Sequence, residues 1–227
     1  MSDLKKISEG IWFQSYALSI MGMEIGRNVT IIRLQSGDLI IHSTAPFEPE
    51  DVAAIKELGN PRWLIDVTNF HNTYTAEGVA AFPDIPYLAT EGFNAPGDIT
   101  PGRLTMQPEW EGELRIFPIE GMRKVNPVAI YHIPTKTLIV ADLIFNLSPA
   151  SSPWTRFGMK AISAVRPGPS MSRLYRSMIK DETAFATSVK TIVALDFEKL
   201  IVAHGAPILE EPRQILKSEL RSHGYDV

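Results

Sequence analysis

Four short apolar runs in this chain each end on a polar residue: Leu39 to His42, Trp63 to Asp66, Leu138 to Asp142 and Leu200 to His204. Asn69 and His71 follow closely after the second run. Runs of Leu, Ile and Val this short, bounded by turn signals, predict buried strands. In layered α/β folds, binding and catalytic groups gather where strands end. Three of the five histidines (His42, His71 and His204) stand at or just beyond these ends. The pattern therefore predicts one polar pocket whose chemistry is that of His, Asp and Asn.

The remaining periodicity fills in the elements. Residues 10–44 read as antiparallel strands, with a turn at Ser36-Gly37-Asp38 and a hairpin tip between Gly22 and Gly26. Glu48-Pro49-Glu50-Asp51 suits a helix start, because acids there favour the positive end of the dipole. That helix turns Val52, Ile55 and Leu58 inward and stops at Gly59-Asn60-Pro61. A second helix is expected from Thr75 to Phe82, a strand over Pro86 to Ala89, and surface loop over 92–112, which is rich in Gly and Pro. Strands follow at 114–117, 128–132 and 137–141. Helices follow at 151–165, 170–179 and 181–195, then a strand at 200–203 and a helix from Pro212 to near Gly224. Antiparallel meanders in both halves argue against a parallel doubly wound sheet. Two sheets packed face to face, with helices outside, fit better.

Composition narrows the chemistry. The 227 residues fit one domain spanning 1–227, here with a helical insert around 148–180. A net charge of −4 gives no basic stripe for nucleic acid or anionic lipid. There is no cysteine, so disulfides and thiolate sites are excluded, and any metal must take nitrogen and oxygen ligands. No apolar run reaches the length of a membrane span, and no secretory signal stands at the start. A cytoplasmic location is expected, with a small molecule as substrate or ligand. The oligomeric state is not encoded legibly.

Asp66-Val67-Thr68-Asn69-Phe70-His71-Asn72-Thr73-Tyr74, followed by a short helix ending in Ala-Ala-Phe-Pro, resembles the metallo-β-lactamase superfamily, in which a strand runs into H-x-H-x-D-H and a helix. Thr137 to Phe145 resembles that family's strand carrying the bridging aspartate. Ile201-Val202-Ala203-His204-Gly205 resembles the strand carrying its last histidine ligand, and Ile40 to Ser43 takes the place of its early strand. The pieces cover most of the chain in the right order and look closest to a divergent branch of metallo-β-lactamase-like domains of unknown function. The resemblance implies a four-layer αββα sandwich.

The departures are as informative. On H-x-H-x-D-H the first His is Asn69, the second is His71, the Asp is Thr73 and the last His is Tyr74. The middle His has no counterpart, and the nearest stretch, Gly121-Met122-Arg123, offers no ligand. Of seven ligands, His71, Asp142 and His204 remain. Two imidazoles and a carboxylate suffice for a mononuclear site holding zinc, iron or manganese, whereas a two-metal mechanism is not expected. The implied function is a metal-dependent hydrolase with a degenerate site, His71, Asp142 and His204 being both ligands and catalytic group. The alternative is a metal-free pseudo-enzyme that binds a small molecule or a protein.

Each residue also has a plainer reading. His71 can cap the next helix, Asp142 can orient the loop to Asn146, and His204 can bond the backbone. His42 is a ligand, a general base or a neutral core histidine. Asn69 and Tyr74 are candidates for contact with substrate, as are Arg166 and Arg173 in the insert, where a guanidinium can take an anion bidentately. The plain alternatives are a packed Tyr74 and solvated arginines. His132 and His223 are expected at the surface, and Met159, Met171 and Met178 in packing.

Overall fold

The computed structural model describes residues 3–122, 124–148, 151–163 and 168–227. In chain order the elements begin with strands β1 (Lys5–Ser8) and β2 (Ile11–Tyr16), the hairpin β3 (Ser19–Ile20) and β4 (Met23–Glu24), β5 (Arg27–Arg33) and β6 (Asp38–His42). Helix α1 (Pro49–Leu58), β7 (Asn60–Asp66), α2 (Thr75–Ala81), β8 (Tyr87–Ala89) and β9 (Gly102–Arg103) follow. The second half contains β10 (Leu114–Pro118), β11 (Val128–His132), β12 (Thr137–Ile139), β13 (Phe145–Leu147), α3 (Pro153–Gly158), β14 (Gly168–Ser170), α4 (Arg173–Ser177), α5 (Glu182–Val193), β15 (Lys199–Ile201) and α6 (Pro212–Ser222).

One sheet has the order β1-β2-β5-β6-β7-β8-β9 and the other β10-β11-β12-β15. The first is antiparallel through β6 and parallel from β6 to β9, and β12 pairs with β15 in parallel. The alternation of side chains along the strands explains the layering. Ile11, Phe13, Ile32, Ile40 and Ile65 meet Leu114, Ile130, Ile139 and Ile201 between the sheets. The residues between them in sequence, such as Trp12, Ile31, Ile41 and Leu64, face outward onto Ile55 of α1 and Phe82. On the other side, Leu138, Val140 and Leu200 pack against Phe185, Val189 and Ile192 of α5 and Leu216 of α6. The result is the expected helix–sheet–sheet–helix sandwich. It is closed locally by capping interactions: Asp51 Oδ2 accepts from Glu48 N at 3.2 Å at the start of α1, and Asp181 Oδ1 from Ala184 N at 2.9 Å at the start of α5.

Several expectations are corrected. The 92–112 loop holds the short edge strand β9 and a single 3₁₀ turn at Pro108–Trp110. The helix expected at 151–165 is α-helical only over Pro153–Gly158 and continues as a π-helical turn over Met159–Ser163. Beyond that lie four residues outside the described ones. His132, expected at the surface, is buried, because β11 lies between β10 and β12. Its Nδ1 bonds to Thr135 Oγ1 at 2.7 Å, and burial pushes its pKa down to about 4. His223 stays partly exposed at the end of α6 and pairs with Glu219 at 3.1 Å. Among the described residues no helix is long and apolar enough to cross a membrane.

Candidate metal centre and active-site cavity

Two of the four polar run ends, Asp142 and His204, converge with His71 from the loop after a third run. His71 sits in the loop after β7, tied back by its N–H to Thr68 O at 3.3 Å, while Asn69 N donates to Val125 O at 3.0 Å. Asp142 lies three residues past β12 and His204 three past β15. These parallel neighbours are held in register by the Val140 N to Ile201 O bond of 2.9 Å. His71 Nε2 lies 3.5 Å and His204 Nε2 3.2 Å from Asp142 Oδ1. All three side chains are buried, and their ligand atoms lie within 4.8 Å of one another. Among the described residues this is the one group of three or more His, Asp and Glu side chains placed to share an ion.

The backbone beside His204 explains how it reaches this position. Gly205 has φ +91°, and a Cβ there would meet Asn146 O at 1.9 Å. Only glycine permits that turn and that approach. Asn28 reinforces it, donating from Nδ2 to Val202 O and to Gly205 O, both at 2.7 Å. His204 Nδ1 lies 2.6 Å from Gly26 O. A carbonyl can only accept, so Nδ1 carries a proton, and Nε2 faces Asp142. Phe145 stacks on the imidazole with ring centres 5.0 Å apart and 14° between planes.

Electrostatics distinguish the three groups. Burial, reinforced by the Arg27 guanidinium, pushes the His71 pKa down to about 4, so its ring is neutral at pH 7. Burial favours the acid form of Asp142, but the two imidazoles outweigh this and hold the carboxyl well below the usual range. The donor set is therefore two imidazoles, that of His71 neutral, and one carboxylate. Both ring nitrogens of His71 are buried without a hydrogen-bond partner, because 3.5 Å is too long for one. An orphaned imidazole against a carboxylate is a poor arrangement for stability and a good one for an ion. Ligands on a tetrahedral zinc with bonds of about 2.0–2.1 Å stand roughly 3.3 Å apart, close to the separations seen, so the residues fit a single divalent ion.

Arg27 was not foreseen. It opens β5, is only 1% exposed, and donates from Nη1 to Ser43 Oγ at 3.0 Å, while its Nε has no partner. Asp66 and Asp142 provide the opposing charge. Asp66 Oδ2 accepts from Tyr87 Oη at 2.8 Å and Thr44 Oγ1 at 3.2 Å, and burial raises its pKa to about 6. A buried arginine leaves no mark in a single sequence, since its meaning depends on which acids fold beside it.

The other candidates are placed as follows. His42 ends β6 with both nitrogens buried and unpartnered, and burial pushes its pKa down to about 3, so it is neutral. Asn69 is engaged in its loop, donating to Glu91 O and Lys124 O at 3.1 Å and accepting from Thr90 Oγ1 at 2.8 Å. Tyr74 donates its hydroxyl to Ala17 O at 2.7 Å. Arg173 lines a separate hollow with Lys160, Arg176 and Glu219. Arg166 lies outside the described residues.

A cavity of about 470 Å³ opens over the cluster, within the size range of small-molecule sites. His71, Asp142, His204 and Arg27 lie in its lining, with Leu18, Met23, Ile25, Phe145, Met159 and Tyr175 around them.

Solved structures identify the architecture. A metallo-β-lactamase from Pontibacter korlensis aligns with a TM-score of 0.65 at 14% identity, over 97% of this chain and 99% of that one. The mono-zinc form of the metallo-β-lactamase FIM-1 from Pseudomonas aeruginosa aligns with a TM-score of 0.63 at 17% identity, over 98% and 96%. A third from Hirschia baltica gives 0.63 at 16% identity, over 97% and 96%. The sequence matches no family model and no curated protein. The chain has the metallo-β-lactamase fold.

Proposed function

We propose that this protein is a hydrolase that works with one divalent ion held by His71, Asp142 and His204. The carrying observation is the convergence of two imidazoles and a carboxylate, from three separate segments, in the lining of a cavity. A mono-zinc form exists in the same fold, in the enzyme from Pseudomonas aeruginosa. The bound ion would supply Lewis acidity and lower the pKa of water.

The chain's own residues account for the rest. Gly26 O fixes the tautomer of His204, and Phe145 fixes the plane of its ring. Asp142 stays ionised and supplies the anionic ligand. Arg27 places a permanent positive charge in the cavity lining, where it can stabilise negative charge developing on a substrate oxygen. The apolar walls keep water away and strengthen these interactions. Loss of the family's other ligand positions, at Asn69, Thr73 and Tyr74, supports one ion and not two. The converged cluster favours this reading over a metal-free binding module.

The test is metal analysis of protein purified without chelator, then titration with zinc, iron(II) and manganese while melting is followed. Substrates with ester, thioester, lactone and phosphoester bonds are then screened. Expected are one equivalent of metal and a turnover that His71→Ala removes. Protein that takes up none of the three ions overturns the proposal.

A further inference from the structure

The walls of the cavity indicate what the site accepts. Leu18, Met23, Ile25, Phe145, Leu147 and Met159 form a small apolar cluster of their own, apart from the three that bind the layers together. The mouth continues this character. Nine large apolar side chains are exposed among the described residues, and six gather here. Ile20, Met21, Phe70 and Leu174 line the opening. Trp154 adjoins them, donating its indole N–H to Met21 O at 3.3 Å, and Phe157 stands beside Trp154. Scattered exposed apolar residues are ordinary, but a cluster at the rim of a cavity marks a ligand surface.

Charge gives the complementary constraint. Apart from the histidines, the charged residues lining the cavity are Asp142 and Arg27. Lys160, Arg173 and Arg176, which could hold a phosphate, line a different hollow. Two buried donors in the lining have no partner, Arg27 Nε and the Tyr175 hydroxyl.

We propose that the substrate is an acyl compound, an ester, thioester or lactone, whose extended apolar arm lies along Leu18, Met23, Ile25, Phe145 and Met159. This rests on the hydrolase reading and narrows it. Water adds to the acyl carbon and the bond from that carbon to oxygen or sulfur breaks. One proton of the water passes to the leaving oxygen or sulfur. The products are a carboxylic acid and an alcohol or thiol, joined in one molecule when a lactone is opened.

The experiment has two arms. In the first, a neutral fluorophore, N-phenyl-1-naphthylamine, is bound to metal-free protein and displaced by 1-alkanols from butanol to octanol. The apparent Kd is expected to tighten about three- to fourfold per methylene. The double variant Ile20→Asp/Leu174→Asp, altered at positions about half exposed, is expected to weaken octanol binding tenfold or more with an unchanged melting curve. In the second arm, kcat/KM of zinc-loaded protein for p-nitrophenyl esters from acetate to decanoate is expected to rise by a similar factor per methylene. Hydrolysis with no dependence on chain length overturns this inference and leaves the hydrolase reading standing. Chain-dependent binding with no hydrolysis of any ester overturns the acyl-substrate proposal and leaves the hydrolase reading to its metal-uptake test. Chain-independent displacement overturns the apolar arm.

Discussion

His204 donates its Nδ1 proton to the carbonyl oxygen of Gly26 across 2.6 Å. That bond orients the ring before any ion arrives, and it joins the last ligand to the strand that begins at Arg27. Partners of this kind alone carry roughly 10–100-fold in metal affinity. His204→Ala removes the ligand itself and is therefore expected to weaken zinc binding by at least 100-fold. Calorimetric titration of metal-stripped protein measures this, and zinc affinity within threefold of the wild type would rule out a ligand role.

Gly205 is the hinge of the same segment. Its positive φ and the 1.9 Å approach to Asn146 O leave no room for a side chain. Gly205→Ala is expected to lower stability by roughly 2–4 kcal/mol through backbone strain and displacement of the 145–147 segment. Urea unfolding measures the loss, and a change below 0.5 kcal/mol would show that the segment relaxes freely.

Arg27 and Asp66 balance one another in the interior. Breaking a buried charge pair by removing one member costs about 3–5 kcal/mol, whereas removing both is far milder. Arg27→Met is expected to cost about 3 kcal/mol and Arg27→Met/Asp66→Asn less than the single variant. A double-mutant cycle in urea gives the coupling, and strictly additive losses would show that the two charges are independent.

Acid should unfold the metal-free protein early. The pKa values of His42, His71 and His132 are pushed down to about 3, 4 and 4. Depressed histidines bind protons in the unfolded chain first, so their contribution is complete above about pH 6.5 and is lost as pH falls towards 4. Asp66, raised to about 6, acts in the opposite sense: its contribution is complete below about pH 4 and is lost as pH rises through 6. Three groups against one leave a net loss of about 2 kcal/mol per pH unit on acidification between pH 6 and 4. Urea midpoints at pH 7, 6 and 5 should fall in that order, and a flat or rising series would contradict the buried neutral histidines.

Much of this was legible in the sequence because strands buried on both faces read as unbroken apolar runs. Their polar ends therefore stood out, and among the residues there the family resemblance singled out His71, Asp142 and His204. What the runs could not show was depth or direction. Asn69 and Tyr74 fall within the expected loop, yet their side chains are used up on Glu91 O, Lys124 O and Ala17 O, bonds that no spacing rule encodes. Arg27 follows a glycine at the start of an ordinary-looking strand, and its burial depends on Asp66 and Asp142, far along the chain. His132 ends a strand before a turn, which suggests exposure, but the strand lies inside a sheet.

The hairpin β3–β4 leans on α3, with Trp154 against Gly22, Thr155 Oγ1 accepting from Glu24 N at 3.0 Å, and Met23 over Gly158. The hairpin and its flanks supply one wall of the cavity through Leu18, Ile20, Met21, Met23 and Ile25, with α3 braced behind it, while His71, Asp142 and His204 stand on segments that follow strands of the two sheets. On the proposed reading, selectivity and reactivity thus reside in different parts of the polypeptide. Rewriting residues 18–25 is then expected to retune what enters without disturbing the segments that carry His71, Asp142 and His204.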